Sequence, residues 1–192
     1  MKTDIILAGV GGQGILSIAA VIGAAALENN LELKQAETHG MSQRGGDVVS
    51  HMRISDQTIY SDLIPKGKAD LILAVEPMES LRYLPYLSTE GYVVTNSTPF
   101  LNIDNYPELE NVKAEIQKHK NVVLIDADKI AKEAGSVRAS NIVMLGAASP
   151  FIGVDFEVLE KGVEAIFKKK GADIVNMNLK ALRAGREFAL AN

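Results

Sequence analysis

The chain has 192 residues, of which 47% are hydrophobic and 23% are charged. This length and composition predict one globular domain, spanning residues 1–192, with a core of its own. The net charge is −4 and aromatic residues make up 5%, so we expect neither a nucleic-acid partner nor a base-stacking surface. The sequence has no cysteine, which excludes disulfides, thiol nucleophiles and cysteine-ligated iron–sulfur clusters from this chain.

The first ten residues, MKTDIILAGV, place an acid within what would be the apolar stretch of a secretion signal, and glycine follows at once. The sequence therefore predicts neither a secretion signal nor a membrane contact, and we expect a cytoplasmic protein. Residues 4–8 (DIILA) are instead typical of a short buried strand.

After this strand the sequence predicts a glycine loop, a helix and a second strand. The helix carries an apolar face with the spacing i, i+3, i+4, i+7 and i+11, formed by Ile15, Ile18, Ala19, Ile22 and Ala26. Residues 31–37 (LELKQAE) have the composition of a second strand. This order predicts the strand–loop–helix–strand half of a nucleotide-binding fold.

The rest of the chain predicts a sheet followed by helices. Residues 47–64 alternate apolar and polar side chains around Asp56-Gln57, which indicates a β-hairpin. The elements expected next are a strand at 69–76, a helix from Pro77 interrupted near Pro85, a strand at 91–97, a loop or short helix at 97–118 and a strand at 121–127. Helices are expected at 128–135, 140–151, 155–171 and 172–191. Together they predict an α/β, Rossmann-like three-layer fold with a mostly parallel sheet, an inserted β-hairpin and C-terminal helices.

Residues 9–14, GVGGQG, satisfy the G-x-G-x-x-G pattern between a predicted strand and a predicted helix. Such glycines allow a tight turn and a close backbone approach, and the helix N-terminus offers N–H groups to an anion. The candidate cofactor-binding residues are Gly9, Gly11, Gly12, Gln13 and Gly14, with Glu37 after the second strand as the acid that would hold a ribose. Two alternatives stay open: the glycines serve helix–sheet packing alone, and Glu37 belongs to the loop that follows it.

A second glycine-rich stretch, ETHGMSQRGGDVVSHMR at 37–53, is rich in polar and cationic residues. Its candidate substrate- or interface-contacting residues are His39, Gly40, Ser42, Gln43, Arg44, Gly45, Gly46, His51 and Arg53. One interpretation is an anion clamp with Arg44 as a forked donor. The others are a solvated polar loop and, for His39 and His51, structural histidines. Two histidines with no evident third ligand match no standard pattern, so we expect no metal site.

Three stretches carry a resemblance to a known family. They are GVGGQGI at 9–15, AETHGMSQRGGDVVSHMRI at 36–54 and ADLILAVEPMESLRYLPYL at 69–87. With them, the chain resembles the gamma-type chains of 2-oxoacid:ferredoxin oxidoreductases over essentially its whole length, and the second stretch favours the indolepyruvate branch of that family.

The resemblance implies one part of a multi-chain enzyme. A large partner subunit would hold thiamine diphosphate and iron–sulfur clusters, decarboxylate the 2-oxoacid, pass electrons to ferredoxin and transfer the acyl group to coenzyme A. This chain alone would bind no cofactor and supply no catalytic residue. Its loop at 9–14 would be the candidate site for coenzyme A, and its loop at 37–46 would face the partner.

Two rival hypotheses from other classes stay open. The first is a self-contained NAD-dependent dehydrogenase, although the sequence offers no Tyr-x-x-x-Lys pair and no clear second domain for a substrate. The second is a non-catalytic scaffold whose glycine loop holds no ligand.

Overall fold

The structure, a computed structural model, describes residues 1–40, 45–101 and 103–192. In this part of the chain six strands form one sheet: β1 (Lys2–Val10), β2 (Glu32–His39), β3 (Asp47–Ser55), β4 (Ala69–Ala74), β5 (Leu87–Asn96) and β6 (Val122–Ile125). The α-helices are α1 (Ile15–Glu28), α2 (Pro77–Arg82), α3 (Leu109–Ile116), α4 (Ala127–Ala134), α5 (Ser140–Ile152), α6 (Phe156–Phe167) and α7 (Ala172–Ala191). In the described residues no helix is both long and apolar enough to cross a membrane.

The sheet has the strand order β2-β3-β1-β4-β5-β6. Strands β1, β4, β5 and β6 pair in parallel, and β3 runs antiparallel to both of its neighbours, β1 and β2. Since β3 is antiparallel to both β1 and β2, these two strands run in the same direction. The predicted α/β three-layer fold with a mostly parallel sheet is confirmed.

The predicted hairpin at 47–64 is wrong in its second half. Its first strand is β3, but residues 58–64 form no strand. The hairpin partner of β3 is β2, so β3 lies between β1 and β2 and separates the strands that the sequence suggested as neighbours. The alternation that resembled a strand has another cause: Ile59 and Ile64 are buried anchors of an irregular segment.

The core lies on both faces of the sheet because successive side chains of a strand point to opposite faces. On one face Ile5 and Leu7 of β1 are buried with residues of α1, α4, α5, α6 and α7. On the other face Ile6 and Ala8 pack beneath a thinner cover that includes Ile64 and Tyr83. The C-terminal helices therefore pack on one face of the sheet, and α5 reaches the end of the first glycine loop through Asn141 and Gly14.

Helices α5 and α7 pack in backbone contact, which makes α5 the buried central helix of this layer. A Cβ atom built on Gly146 would lie 2.0 Å from the carbonyl oxygen of Leu182, and one on Gly185 would lie 2.0 Å from that of Val143. Only glycine allows this approach. The close packing fixes the N-terminus of α5, where the candidate site begins.

Candidate functional site

A cavity of about 690 Å³ opens at the edge of the sheet where the parallel strands end. We call it the carboxyl-edge cavity. Its lining residues come from the first glycine loop, the loops after β4 and β5, the segment between α4 and α5, the end of α6 with the turn that follows it, and the helices α1, α4, α5 and α7. They are Gly12, Gln13, Gly14, Ser17, Val75, Asn96, Thr98, Pro99, Phe100, Asp128, Ser136, Arg138, Ser140, Asn141, Met144, Phe167, Lys170, Ile174, Met177 and Asn178. In open α/β sheets, ligands bind in crevices at this edge.

The first glycine loop divides into a packing part and a cavity part. Gly9 lies against β4, since a Cβ atom there would come within 2.3 Å of Val75 Cγ2. Gly12 and Gly14 have φ values of 101° and 82°, which favour glycine, and both line the cavity. A Cβ atom at Gly12 would meet nothing within 4 Å, whereas one at Gly14 would lie 2.5 Å from Nδ2 of Asn141. The packing interpretation therefore fits Gly9 and Gly14, while the ligand interpretation fits Gly12.

Gln13 has its side-chain amide engaged within the protein. Its Oε1 accepts from the N–H of Val10 at 2.8 Å, and its Nε2 lies 3.4 Å from the carbonyl oxygen of Val75, to which it donates. The side chain thus joins the loop to the end of β4. Gln13 lines the cavity, but its main effect is to hold the glycine loop in place.

Two helices direct their N-termini at the cavity. Gly14 is the N-cap residue of α1, and Asn141 is the second residue of α5. The Nδ2 of Asn141 donates to the carbonyl oxygen of Gly14 at 3.1 Å, which joins the two helix starts. In the described residues, no side-chain hydrogen bond caps α1 at Gly14 or α5 at Ala139. The start of α5 continues a 3-10 turn, in which the N–H of Ser140 donates to the carbonyl oxygen of Val137. Unpaired N–H groups therefore favour an anion mainly at the start of α1, and the positive end of the helix dipole does so at both helices.

Charged side chains add to this preference. Arg138 and Lys170 line the cavity, and Asp128 opposes them. Lys170 also lies over the ring of Phe167, with Nζ 5.2 Å from the ring centroid. The neutral polar lining, such as Asn96 and Ser140, offers hydrogen bonds without charge. The lining thus combines two cations and one acid with apolar side chains such as Met144 and Ile174, so it suits a ligand with both phosphate and ring character.

Glu37 does not reach this cavity. It lies on β2, and β3 stands between β2 and the strand that leads into the glycine loop. Two strand spacings amount to roughly 10 Å. The Glu37 carboxylate instead lies 2.6 Å from Nε2 of His39, whose side chain is about half exposed. The structure therefore does not bring the proposed ribose acid to the glycine loop.

The second glycine stretch contacts the first. The N–H of Gly11 donates to the carbonyl oxygen of Gly46 at 2.9 Å, and the N–H of Gly40 donates to that of Asp47 at 2.9 Å. Gly45 has a φ of 84°. The first bond places Gly46, at the end of the 37–46 stretch, beside the glycine loop, and the second bond joins Gly40 to the start of β3. Ser42, Gln43 and Arg44 lie outside the described residues.

His51 lies within the fold, away from the cavity. It is 9% exposed and packs edge-on against Tyr86, with ring centroids 5.2 Å apart. Its Nδ1 accepts from the N–H of Ile64 at 3.1 Å. Burial lowers the pKa of His51, and the charge of Asp62 partly opposes this. These contacts are those of a structural histidine.

Arg53 also has a structural environment. It pairs across the sheet with Asp4, at the end of β1 remote from the glycine loop. Its Nε lies 2.8 Å from Oδ1 of Asp4, a carboxylate with 1% side-chain exposure. Its Nη1 donates to the carbonyl oxygens of Ser61 and Leu63 at 3.0 and 3.2 Å. Neither Arg53 nor His51 joins the predicted loop site, because β3 carries both away from it.

Several cavity residues were missed at the sequence level. Asn96, Arg138, Asn141 and Asn178 come from four separate segments, and no spacing along the chain links them. Lys170 belongs to the run Lys168–Lys170, which resembles an ordinary positive helix end. Only the tertiary fold brings these side chains together.

Beyond the cavity wall, the start of α2 has a pair of buried carboxylates, Glu76 as its N-cap residue and Glu79 within the helix. Burial raises the pKa of Glu79, and Arg82, whose Nε lies 2.7 Å from it, opposes that shift. In the described ranges, no three or more His, Cys, Asp or Glu side chains are grouped as a metal site would require.

An open α/β sheet with a glycine loop and helix N-termini at its carboxyl edge defines a domain of the Rossmann-like class. Comparison with known protein families identifies one family within this class. Residues 4–188 match the family described as pyruvate ferredoxin/flavodoxin oxidoreductase, and the chain belongs to that family.

Relatives that match over nearly their whole length show which members of the family this chain is similar to. The chain is 38% identical to "Indolepyruvate oxidoreductase subunit IorB" of Archaeoglobus fulgidus, with 100% of this chain and 97% of the relative covered. It is also 38% identical to the subunit of the same name from Pyrococcus horikoshii, with 97% and 95% covered.

Solved structures share the fold. The chain is similar to the gamma subunit of keto/oxoacid ferredoxin oxidoreductase from Geobacter sulfurreducens, with 27% identity, a TM-score of 0.70 and 99% of each chain covered. It is also similar to 2-oxoglutarate:ferredoxin oxidoreductase from Magnetococcus marinus with 2-oxoglutarate, coenzyme A and succinyl-CoA bound, with 25% identity and a TM-score of 0.78. That match covers 100% of this chain but 31% of the longer one.

Proposed function

We propose that this chain is the cluster-free subunit of a thiamine-diphosphate-dependent 2-oxoacid:ferredoxin oxidoreductase that acts on indolepyruvate or a similar aryl pyruvate. In this reaction the oxoacid loses carbon dioxide, two electrons pass singly to ferredoxin, and the acyl group joins the thiol of coenzyme A. The observation that carries the proposal is the end-to-end similarity to indolepyruvate oxidoreductase subunits from two organisms.

The redox work belongs to a larger partner subunit in this proposal. A chain without cysteine offers no thiolates for an iron–sulfur cluster. Relatives also occur in which the same domain is part of a longer chain, because the match to the Magnetococcus enzyme covers 31% of it. We therefore assign thiamine diphosphate, the clusters and contact with ferredoxin to the partner.

We assign the carboxyl-edge cavity to coenzyme A, which supplies the thiol that takes the acyl group. The residues present fit its nucleotide end. The cavity volume of about 690 Å³ is that of an ordinary small-molecule site. Gly12, where a Cβ atom would meet nothing within 4 Å, leaves the backbone open to a phosphate, and Arg138 and Lys170 supply cations. Met144 and its apolar neighbours suit a purine ring.

We assign the loop at 37–46 to the interface with the partner. The exposure of His39 and the bond between Gly11 and Gly46 support this, because a partner seated on the loop would also adjoin the cavity. Arg44 would then pair with a carboxylate or phosphate across the interface.

The assignment of the cavity is tested in the assembled complex. Arg138→Ala and Lys170→Ala should each raise the apparent KM for coenzyme A about tenfold, with the KM for the aryl pyruvate unchanged, since each removes one charge-assisted contact. Lys169→Ala is the matched control, because Lys169 belongs to the same turn but does not line the cavity. Unchanged constants for coenzyme A in both cavity variants would contradict the assignment.

The assignment of the redox chemistry has a separate test. The isolated chain should not oxidise indolepyruvate, and activity should require a co-purifying subunit with thiamine diphosphate. Oxidation by the chain alone would contradict the proposal. The rival NAD-dependent function is weakened because Glu37 lies two strands from the glycine loop, and calorimetry with NADH tests it directly.

A further inference from the structure

Glu76 is a buried carboxylate at the end of β4 that joins three segments of the chain. Its exposed fraction is 1%. Its Oε2 accepts from the N–H of Glu79 at 2.9 Å, as the N-cap of α2. Its Oε1 accepts from the N–H of Phe100 at 3.3 Å and from the hydroxyl of Tyr106 at 2.5 Å. One side chain therefore connects α2 to the region after β5.

The region after β5 forms one wall of the carboxyl-edge cavity. Thr98, Pro99 and Phe100 all line it, and Phe100 is 40% exposed. We call residues 97–101 the β5 loop. Asn96 fixes its beginning, because Oδ1 of Asn96 accepts from the N–H of Thr98 at 3.3 Å and from that of Ala127 at 3.1 Å. Glu76 holds the other end of the β5 loop through its hydrogen bond with the N–H of Phe100.

These hydrogen bonds stabilise the buried carboxylate of Glu76. A buried carboxylate is unfavourable unless donors surround it, and bonds to a charged acceptor are stronger than neutral ones. Burial and the adjacent Glu76 raise the pKa of Tyr106, so its hydroxyl keeps its proton and remains a donor. Removing one donor leaves the carboxylate with fewer partners and weakens the restraint on the others.

We propose that Glu76 and Tyr106 are positioning residues that hold the β5 loop, through Phe100, at the spacing with which the cavity wall contacts coenzyme A. This inference rests on the proposed function of the cavity. Neither residue touches the ligand: Glu76 acts through the backbone of Phe100, and Tyr106 acts through Glu76. Loss of the restraint lets the wall move away and weakens binding without changing the reacting groups.

The test uses Tyr106→Phe in the assembled complex, because this change removes one hydroxyl and keeps the ring. We expect faster amide hydrogen exchange at Phe100 and a rise of about three- to tenfold in the apparent KM for coenzyme A, with kcat altered less than twofold. Calorimetry with coenzyme A should give the same rise in dissociation constant. Tyr60→Phe is the matched control, since Tyr60 is 92% exposed and lies outside the cavity.

A second variant, Glu76→Gln, keeps the shape of the side chain but replaces one acceptor oxygen with a donor. It should speed exchange at Phe100 more than Tyr106→Phe does. Unchanged exchange at Phe100 in both variants overturns the positioning role, whatever happens to the KM. Faster exchange with an unchanged dissociation constant for coenzyme A also overturns it. The proposed function is tested separately by Arg138→Ala and Lys170→Ala, so the two can fail independently.

Discussion

The side-chain amide of Asn141 donates to the carbonyl oxygen of Gly14 across 3.1 Å, although 127 positions separate the two residues. Gly14 ends the first glycine loop and begins α1, and Asn141 lies in the first turn of α5. The bond therefore fixes the relative position of two helix N-termini at the edge of the cavity. Residues at both helix starts line the same cavity, and the positive ends of two helix dipoles there would favour an anion.

We expect Asn141→Ala to lower the free energy of unfolding by about 1–2 kcal/mol, since it removes a hydrogen bond from a residue that is 9% exposed. Asn141→Asp should weaken the binding of coenzyme A more than Asn141→Ala does. It replaces the donor that faces the carbonyl oxygen of Gly14 with an acceptor, and it adds negative charge to the cavity. Urea denaturation measures the first effect and calorimetry with coenzyme A the second. Equal affinity of the Ala and Asp variants for coenzyme A would contradict the anion site.

The glycines of the first loop should differ in their tolerance of a side chain. Gly12 and Gly14 both have positive φ, so alanine strains the backbone at either position. A Cβ atom at Gly12 meets nothing within 4 Å, whereas one at Gly14 would lie 2.5 Å from Nδ2 of Asn141. We expect Gly12→Ala to cost about 1 kcal/mol and Gly14→Ala to cost more, because only the second adds a clash. Equal denaturation midpoints for the two variants would refute the predicted order.

The fold was largely predictable because its signals are local. The glycine loop between an apolar strand and an apolar helix predicted β1 and α1, and both lie where the sequence predicts them. The same is true of β4, which was predicted from its apolar residues. The error at 58–64 has a physical reason. Ile59 and Ile64 are buried by packing against the sheet, not by strand pairing, and alternation along a sequence does not distinguish the two.

The candidate site was only partly predictable because its residues come from distant segments. Gly12 and Gly14 belong to a local motif that the sequence shows, and both line the cavity. Arg138 and Lys170 meet at the cavity only through the packing of the C-terminal helices. Glu37 was included in the predicted site because its position in the sequence fits a ribose contact. In the fold, β3 lies between β2, which carries Glu37, and β1, which leads into the glycine loop.

The contacts of Arg53 predict a role in stability and none in catalysis. Arg53→Met should lower the free energy of unfolding by about 2 kcal/mol, because it leaves the buried Asp4 carboxylate with a weaker partner, Lys2, at 2.8 Å. The KM values of the assembled complex should not change. Lys2→Met is the control: about half of the Lys2 side chain is exposed, so its loss should cost less. A changed KM for the oxoacid in Arg53→Met would restore Arg53 as an interface candidate.

The lowered pKa of His51 predicts a loss of stability in mild acid. The folded chain favours the neutral imidazole, whose Nδ1 accepts from Ile64, and burial disfavours the charged form. As the pH falls below the ordinary value of 6.5, the unfolded chain takes up a proton before the folded chain does. The free energy of unfolding should therefore fall between pH 6.5 and the lower pKa of the folded state. His51→Gln should flatten this slope, as measured by denaturation at a series of pH values. Parallel profiles of wild type and variant across the interval would show that another group titrates there.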